Sequence, residues 1–125
     1  MRPTVALFGE AGKGCFDAAY LCHTPMDLCT HLGHSNSCGI SLAIKTLMYN
    51  YSVVYFRVKE EGYSIEHYFY GIHFLNTQNS IKNIIAIALP GVGDDNIIEA
   101  LCSTCKRYSS LLLFSEKDLY DLFTF

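Results

Sequence analysis

The chain has 125 residues, of which half are hydrophobic and 17% charged, against a usual charged share of about 25%. That balance excludes intrinsic disorder, which needs low hydrophobicity and high charge, and the length suits one domain that buries a core without staples. Nine Lys plus Arg against twelve Asp plus Glu leave a net charge of −3, the wrong sign for a protein that lives by contacts to nucleic-acid phosphates.

Met1-Arg2-Pro3 leads directly into Thr4-Val5-Ala6-Leu7-Phe8, a run of strand formers that ends at Gly9. An apolar run of this length bounded by a turn residue suits a strand buried on both faces. The start shows no signal-peptide pattern. The longest wholly apolar run, Ile84 to Leu89, is far short of the roughly 20 residues that cross a bilayer. A soluble, cytoplasmic protein without membrane contact is expected, and its six cysteines are then expected as free thiols in a reducing compartment.

Thr24-Pro25-Met26-Asp27 reads as a helix start. Thr24 can cap, Pro25 suits the first helical position, and Asp27 suits the positive end of the helix. Leu28, Cys29 and Leu32 make an apolar stripe, and Gly33 is placed to stop the helix. Ser37 can cap a second helix from Ile40 to Tyr49, where Ile40, Ala43, Ile44, Leu47 and Met48 follow helical spacing. Asn50 can end it. Tyr51 to Val58 is the clearest strand, apolar on both faces and therefore central.

The segment from Tyr63 to Phe74 is rich in aromatics, which suits a hairpin with the preceding strand. Ile65, Tyr68, Phe69, Ile72 and Leu75 nevertheless fall on one helical face, and Ser64 is a good cap, so periodicity predicts a helix. Ile84 to Leu89 is another doubly buried strand, broken by Pro90-Gly91-Val92-Gly93. Asp94 or Asp95 can cap a helix from Asn96 to Arg107, with Ile97, Ile98, Leu101, Cys102 and Cys105 inward and Lys106 and Arg107 at its negative end. Leu111 to Phe114 forms the last strand. Ser115 with Asp118 makes a box-like start for a C-terminal helix that packs Leu119, Leu122 and Phe123.

Strands alternating with helices demand parallel pairing through right-handed crossovers, with helices on both faces. The expected fold is one α/β domain over residues 1–125, a small Rossmann-like or flavodoxin-like three-layer sandwich of about four mostly parallel strands. Ligands of such sheets bind beyond the carboxyl ends of the strands. The loops predicted there run from Gly9 to Gly14, Lys59 to Gly62, Pro90 to Asp95, and Ser115 to Lys117. They hold much of the charge and six of the nine glycines. Gly9, Glu10, Gly12, Lys13, Gly14, Arg57, Glu60, Gly91, Gly93 and Asp94 are therefore the candidate ligand-binding residues, for an anionic, nucleotide-like or phosphate-containing molecule.

The first of these loops matches neither standard phosphate pattern. Gly9 lies three residues before Gly12, and Lys13 is followed by Gly14 and Cys15, so the Ser or Thr of a P-loop is missing. Its backbone N–H groups can still face an anion, with Lys13 as counter-charge. Arg57, a charge near the end of a central apolar strand, must reach the site or an acidic partner such as Glu60. Glu10, Glu60 and Glu61 are candidates for a carboxylate cluster, and solvated loop glutamates are the blander reading. Asp94 and Asp95 suit a metal or a ribose hydroxyl, but capping is the commoner use.

Cys15, Cys22, His23, Cys29, His31, His34 and Cys38 crowd residues 15–38, and their side chains are zinc ligands by type. Their spacing repeats no known finger or ribbon, and Cys29 falls on the apolar stripe, so zinc is an alternative only. Cys102-Ser103-Thr104-Cys105 has redox spacing but lies late in a helix, away from the positive end that activates such thiols. No catalytic residue and no cofactor follow from the chain. Nine tyrosines and eight phenylalanines leave more apolar surface than a small sheet covers, which points to a homo-oligomer or a protein partner as the other functional class.

Overall fold

Residues 2–124 are described by the computed structural model. The sheet is built around β1, Thr4–Gly9, in which every residue is buried. A strand with no wet face needs a neighbour on each edge and a helical layer on each side. β1 pairs in parallel with β3, Ser52–Arg57, and with β4, Ile84–Ala88. β4 pairs in parallel with β5, Leu111–Leu113. A fifth strand, β2, Tyr20–Cys22, adds antiparallel to β3, and the order is β2-β3-β1-β4-β5.

The sheet thus has five strands where the sequence pattern predicts four. β2 is only three residues long, with partly buried, exposed and buried positions in turn. So short a run carries no readable period, and its strand state comes from the edge that β3 offers it.

Five helices cover the sheet: α1, Pro25–Leu32; α2, Cys38–Met48; α3, Ile65–Thr77; α4, Asp95–Tyr108; and α5, Glu116–Thr124. Leu28 and Leu32 of α1, Leu42 and Leu47 of α2 and Leu119 of α5 share one core with Val5, Leu7 and Val53. Tyr68, Ile72 and Leu75 of α3 and Ile97 and Leu101 of α4 share the other with Ala6, Phe8 and Val54. The architecture is α/β with helices on both faces of a mostly parallel sheet. The chain crosses from β3 over β1 to β4, and this reversal of direction is what moves α3 and α4 to the opposite face from α2.

Most helix ends follow the residues predicted to make them. Thr24 and Asp27 form a reciprocal capping box, and Gly33 closes α1 at φ 69°. The Ser37 hydroxyl accepts from Ile40 N, and Asp94 Oδ1 accepts from Asn96 N and Ile97 N. Ser115 and Asp118 form a second reciprocal pair at α5. Residues 65–77 are helical, as periodicity predicts, but the Ser64 hydroxyl accepts from Glu60 N and makes no cap bond to α3. Cys102, expected inward, is exposed, and Thr104 takes the inward place, its hydroxyl donating to Asn76 Oδ1.

α3 reaches the sheet through Gly71. A β-carbon there would overlap the Phe8 ring. That ring cannot retreat, because it is fully buried and stacked between Phe56, at 4.7 Å between centroids, and Tyr68, at 5.5 Å. Replacing a helical glycine by alanine gains about 1 kcal/mol in propensity, whereas overpacking a closed core costs about 1–3 kcal/mol. Gly71→Ala is therefore expected to lower the urea midpoint of unfolding with an unchanged slope. A raised midpoint would show that the Phe8 stack yields.

Candidate functional site

Parallel pairing sends the turns that leave β1, β3 and β4 to one rim of the sheet. The centre of that rim is closed by the chain itself. Glu61 Oε2 accepts from Glu10 N at 2.8 Å and from Gly39 N at 3.0 Å, while Glu10 Oε2 accepts from Glu61 N at 2.9 Å. The Glu61 carboxylate thus holds the place that an anion would take beside the N-terminus of α2. Tyr55 and Ser37 both donate hydroxyl hydrogens to Glu10 O at 2.7 Å.

The knot depends on missing side chains. A β-carbon on Gly9 would lie 2.7 Å from the Gly39 α-carbon and 2.8 Å from Glu61 Oε2. Gly62, at φ 90°, packs so closely on Gly91 that a β-carbon there would overlap the Gly91 carbonyl. Burial, with Glu61 alongside, pushes the Tyr55 phenol far above its usual range, and burial pushes Tyr68 up to about 12. Both phenols remain neutral; Tyr55 donates to Glu10 O, and Tyr68 accepts from Gly62 N at 2.8 Å.

The glycine-rich loop that follows β1 turns its donors inward. Gly12 N and Lys13 N donate to Leu32 O at 2.9 and 3.0 Å, so these two N–H groups tie the end of α1 rather than face solvent. The Lys13 side chain is exposed. Arg57 pairs with Gly9 in the sheet register and reaches the same loop, where its Nη1 donates to Gly14 O at 2.6 Å. Its guanidinium carbon lies 4.4 Å from the centroid of the Phe16 ring, and Phe16 in turn stacks on His67 at 4.5 Å and 5°. His67 Nδ1 accepts from Lys59 N at 3.0 Å.

Among the described residues Arg57 finds no acidic partner. Among the described residues the one ion pair joins Lys45 to Glu116, and the buried Nε of Arg57 has no hydrogen-bond partner. Comparison of the chain with protein-family models, curated proteins and solved structures gives no match. The residues themselves therefore carry the functional reading.

Seven of the ten predicted residues divide between these two places. Gly9, Glu10 and Gly91 belong to the Glu61 knot, and Gly12, Lys13, Gly14 and Arg57 to the neighbouring loop. Glu60 is exposed and holds the turn into α3 through its backbone, so the carboxylates that meet are those of Glu10 and Glu61. Asp94 caps α4, and Gly93 stands in open space. Phe16, Gly39, Tyr55 and His67 were not readable as rim residues, because each arrives by a tertiary approach. Only the β-strand position of Tyr55, two before Arg57, hinted at its place.

Of the thiols and imidazoles of residues 15–38, Cys29 and His34 meet, at 3.4 Å, and among the described residues no larger set gathers around them. Among the described residues no three His, Cys, Asp or Glu side chains are placed to hold a metal ion. Cys22 is buried, and its thiol is pushed up to about 12 by that burial and by Asp27. Burial likewise raises Cys105 to about 11. His23 lies at the opposite end of the sheet, by the amino ends of β1, β3 and β4, its Nδ1 2.8 Å from Ser52 Oγ, beside a cavity of about 200 Å3 that Arg2 and Lys82 also line.

The knot makes a direct prediction. Glu61→Ala leaves Glu10 N and Gly39 N without an acceptor, a loss of about 1–3 kcal/mol, whereas Glu61→Gln keeps a side-chain oxygen for them. Amide hydrogen exchange at Glu10 and Gly39 is expected to speed up strongly in the alanine variant and much less in the glutamine variant. Equal protection in all three proteins would show that the contact does not hold the rim.

Proposed function

We propose that the domain binds a small anionic molecule, phosphate-containing or nucleotide-like, at the carboxyl ends of its strands, with Arg57 as the charge that receives it. The unpaired guanidinium is the observation that carries this reading. A charge partly withdrawn from water is unfavourable unless it is paired and hydrogen-bonded. Arg57 has one carbonyl and one aromatic face. An anion set against it supplies the missing counter-charge, and the exposed Lys13 on the same loop is a second cation for that anion.

The strand order supports the same place. Counting the parallel strands alone, the order is second, first, third, fourth, which agrees with a flavodoxin-like, doubly wound arrangement whose ligands lie at this rim. Thermal-shift measurements with inorganic phosphate, nucleotides and sugar phosphates test the reading. A ligand at about a hundred times its dissociation constant adds about 2.7 kcal/mol, a shift of several degrees for a domain of this size. The shift is expected to vanish in Arg57→Gln and to shrink in Lys13→Ala. No shift in the unaltered protein, or an equal shift in Arg57→Gln, would reject it.

A second reading, association through an apolar surface, is favoured by the groove between α2 and α5. Met48 and Tyr120 are 72% and 59% exposed there, beside Tyr49 stacked on Phe123 at 4.5 Å. Sedimentation equilibrium decides it: this reading expects a dimer that Met48→Glu disperses, and a monomer at every concentration would remove it.

A further inference from the structure

Among the described residues one thiol lies within hydrogen-bond reach of an imidazole. Cys29 Sγ lies 3.4 Å from His34 Nε2, and no other cysteine among the described residues has a histidine partner. Both side chains line a cavity of about 320 Å3 between α1 and α2, whose apolar wall is Leu28, Ile40 and Ile44 and whose polar end includes Asn36. We propose that Cys29 and His34 form a nucleophile–base pair that accepts the acyl group of an activated ester or thioester in this cavity.

The surrounding chain holds the pair in place. α1 ends at Leu32, and Gly33 at φ 69° donates its N–H to Cys29 O at 2.9 Å, turning the chain so that His34 returns beside the helix. Gly12 lies against the His34 backbone, where a β-carbon would overlap the His34 carbonyl oxygen. Gly12 N and Lys13 N grip Leu32 O from the same side. Beyond the turn, the Ser37 hydroxyl donates to Glu10 O, and Ser37 N donates to Ser35 Oγ at 3.1 Å. The glycine loop thus acts as a brace for the segment that carries the imidazole. A nucleophile within hydrogen-bond reach of a base that is itself positioned is the arrangement covalent catalysis requires.

The chemistry balances without an outside oxidant or reductant. With its proton on Nδ1, His34 takes the thiol proton at Nε2 as Sγ attacks the acyl carbon. The new S–C bond forms, the bond to the leaving alcohol or thiol breaks, and the leaving group takes the proton from His34. Water attack on the acyl-cysteine then releases the carboxylic acid and returns the proton to Sγ. The cavity's apolar wall suits a short acyl chain.

The probe is p-nitrophenyl acetate, with acetylation located on each cysteine by tandem mass spectrometry. Cys29 is expected to acetylate about tenfold or more faster than exposed Cys15, Cys38 and Cys102, although it is the more buried thiol. Cys29→Ala is expected to abolish the burst of nitrophenolate. His34→Ala, and His34→Gln, which keeps a hydrogen-bonding side chain but no base, should bring Cys29 to the rate of the exposed thiols. Because His34 is exposed, these variants are expected to melt at the temperature of the unaltered protein. A Cys29 that reacts no faster than the exposed cysteines, or that reacts equally in His34→Gln, would overturn the proposal.

Discussion

Val5, Ala6, Leu7 and Phe8 of β1 are all fully buried, and that absence of a wet face constrains everything built around them. A doubly buried strand must find hydrogen-bonding partners on both edges and apolar helix faces above and below. β3 and β4 supply the edges, and α2 and α3 close the two faces. Parallel pairing then sends the outgoing turns of all three strands to one end, so the rim follows from the burial of four side chains. The aromatic stack of Phe8, Phe56 and Tyr68 shows how tightly the lower-volume positions are set, since Gly71 is the residue that lets α3 approach it.

At the rim, two kinds of charge coexist. The carboxylates of Glu10 and Glu61 are absorbed into the fold, each accepting a backbone N–H from the other's segment. Such bonds serve closure, because a buried N–H left without an acceptor costs more than a made bond adds. Arg57 is the contrast. It has the same address and no carboxylate, and it leans on the face of Phe16, which is itself backed by His67. The rim thus uses its carboxylates to accept backbone N–H groups and leaves its guanidinium without a carboxylate partner among the described residues. The glycine-rich loop serves both regions. Its Gly14 carbonyl receives Arg57, and its Gly12 and Lys13 N–H groups hold the end of α1.

Much of this was legible from residues alone. The strands at Thr4, Tyr51, Ile84 and Leu111 announced themselves through unbroken apolar runs, and the helices through caps at Thr24, Ser37, Asp94 and Ser115. The helical spacing of Ile65, Tyr68, Phe69, Ile72 and Leu75 outweighed the aromatic content that suggested a hairpin, and the helix that forms buries Tyr68, Ile72 and Leu75 while Ile65 and Phe69 stay exposed. The site was less legible. Glycines and charges marked the right end of the sheet, but nothing in the spacing distinguished Glu60 from Glu61. That choice rests on which of two adjacent side chains faces the N-terminus of α2.

Local pattern therefore determined the α/β class, the parallel alternation, the helix boundaries and the edge at which the loops gather, since each depends on burial periodicity and capping within a few residues. Tertiary structure alone decided that β2 joins the sheet, that Cys102 faces water while Thr104 faces inward, that Glu61 fills the space beside Gly39, and that His34 returns to Cys29. These depend on contacts between segments far apart in the chain or on the path of a turn, where one missing β-carbon or one available backbone N–H selects the neighbour, and neither leaves a period in the sequence.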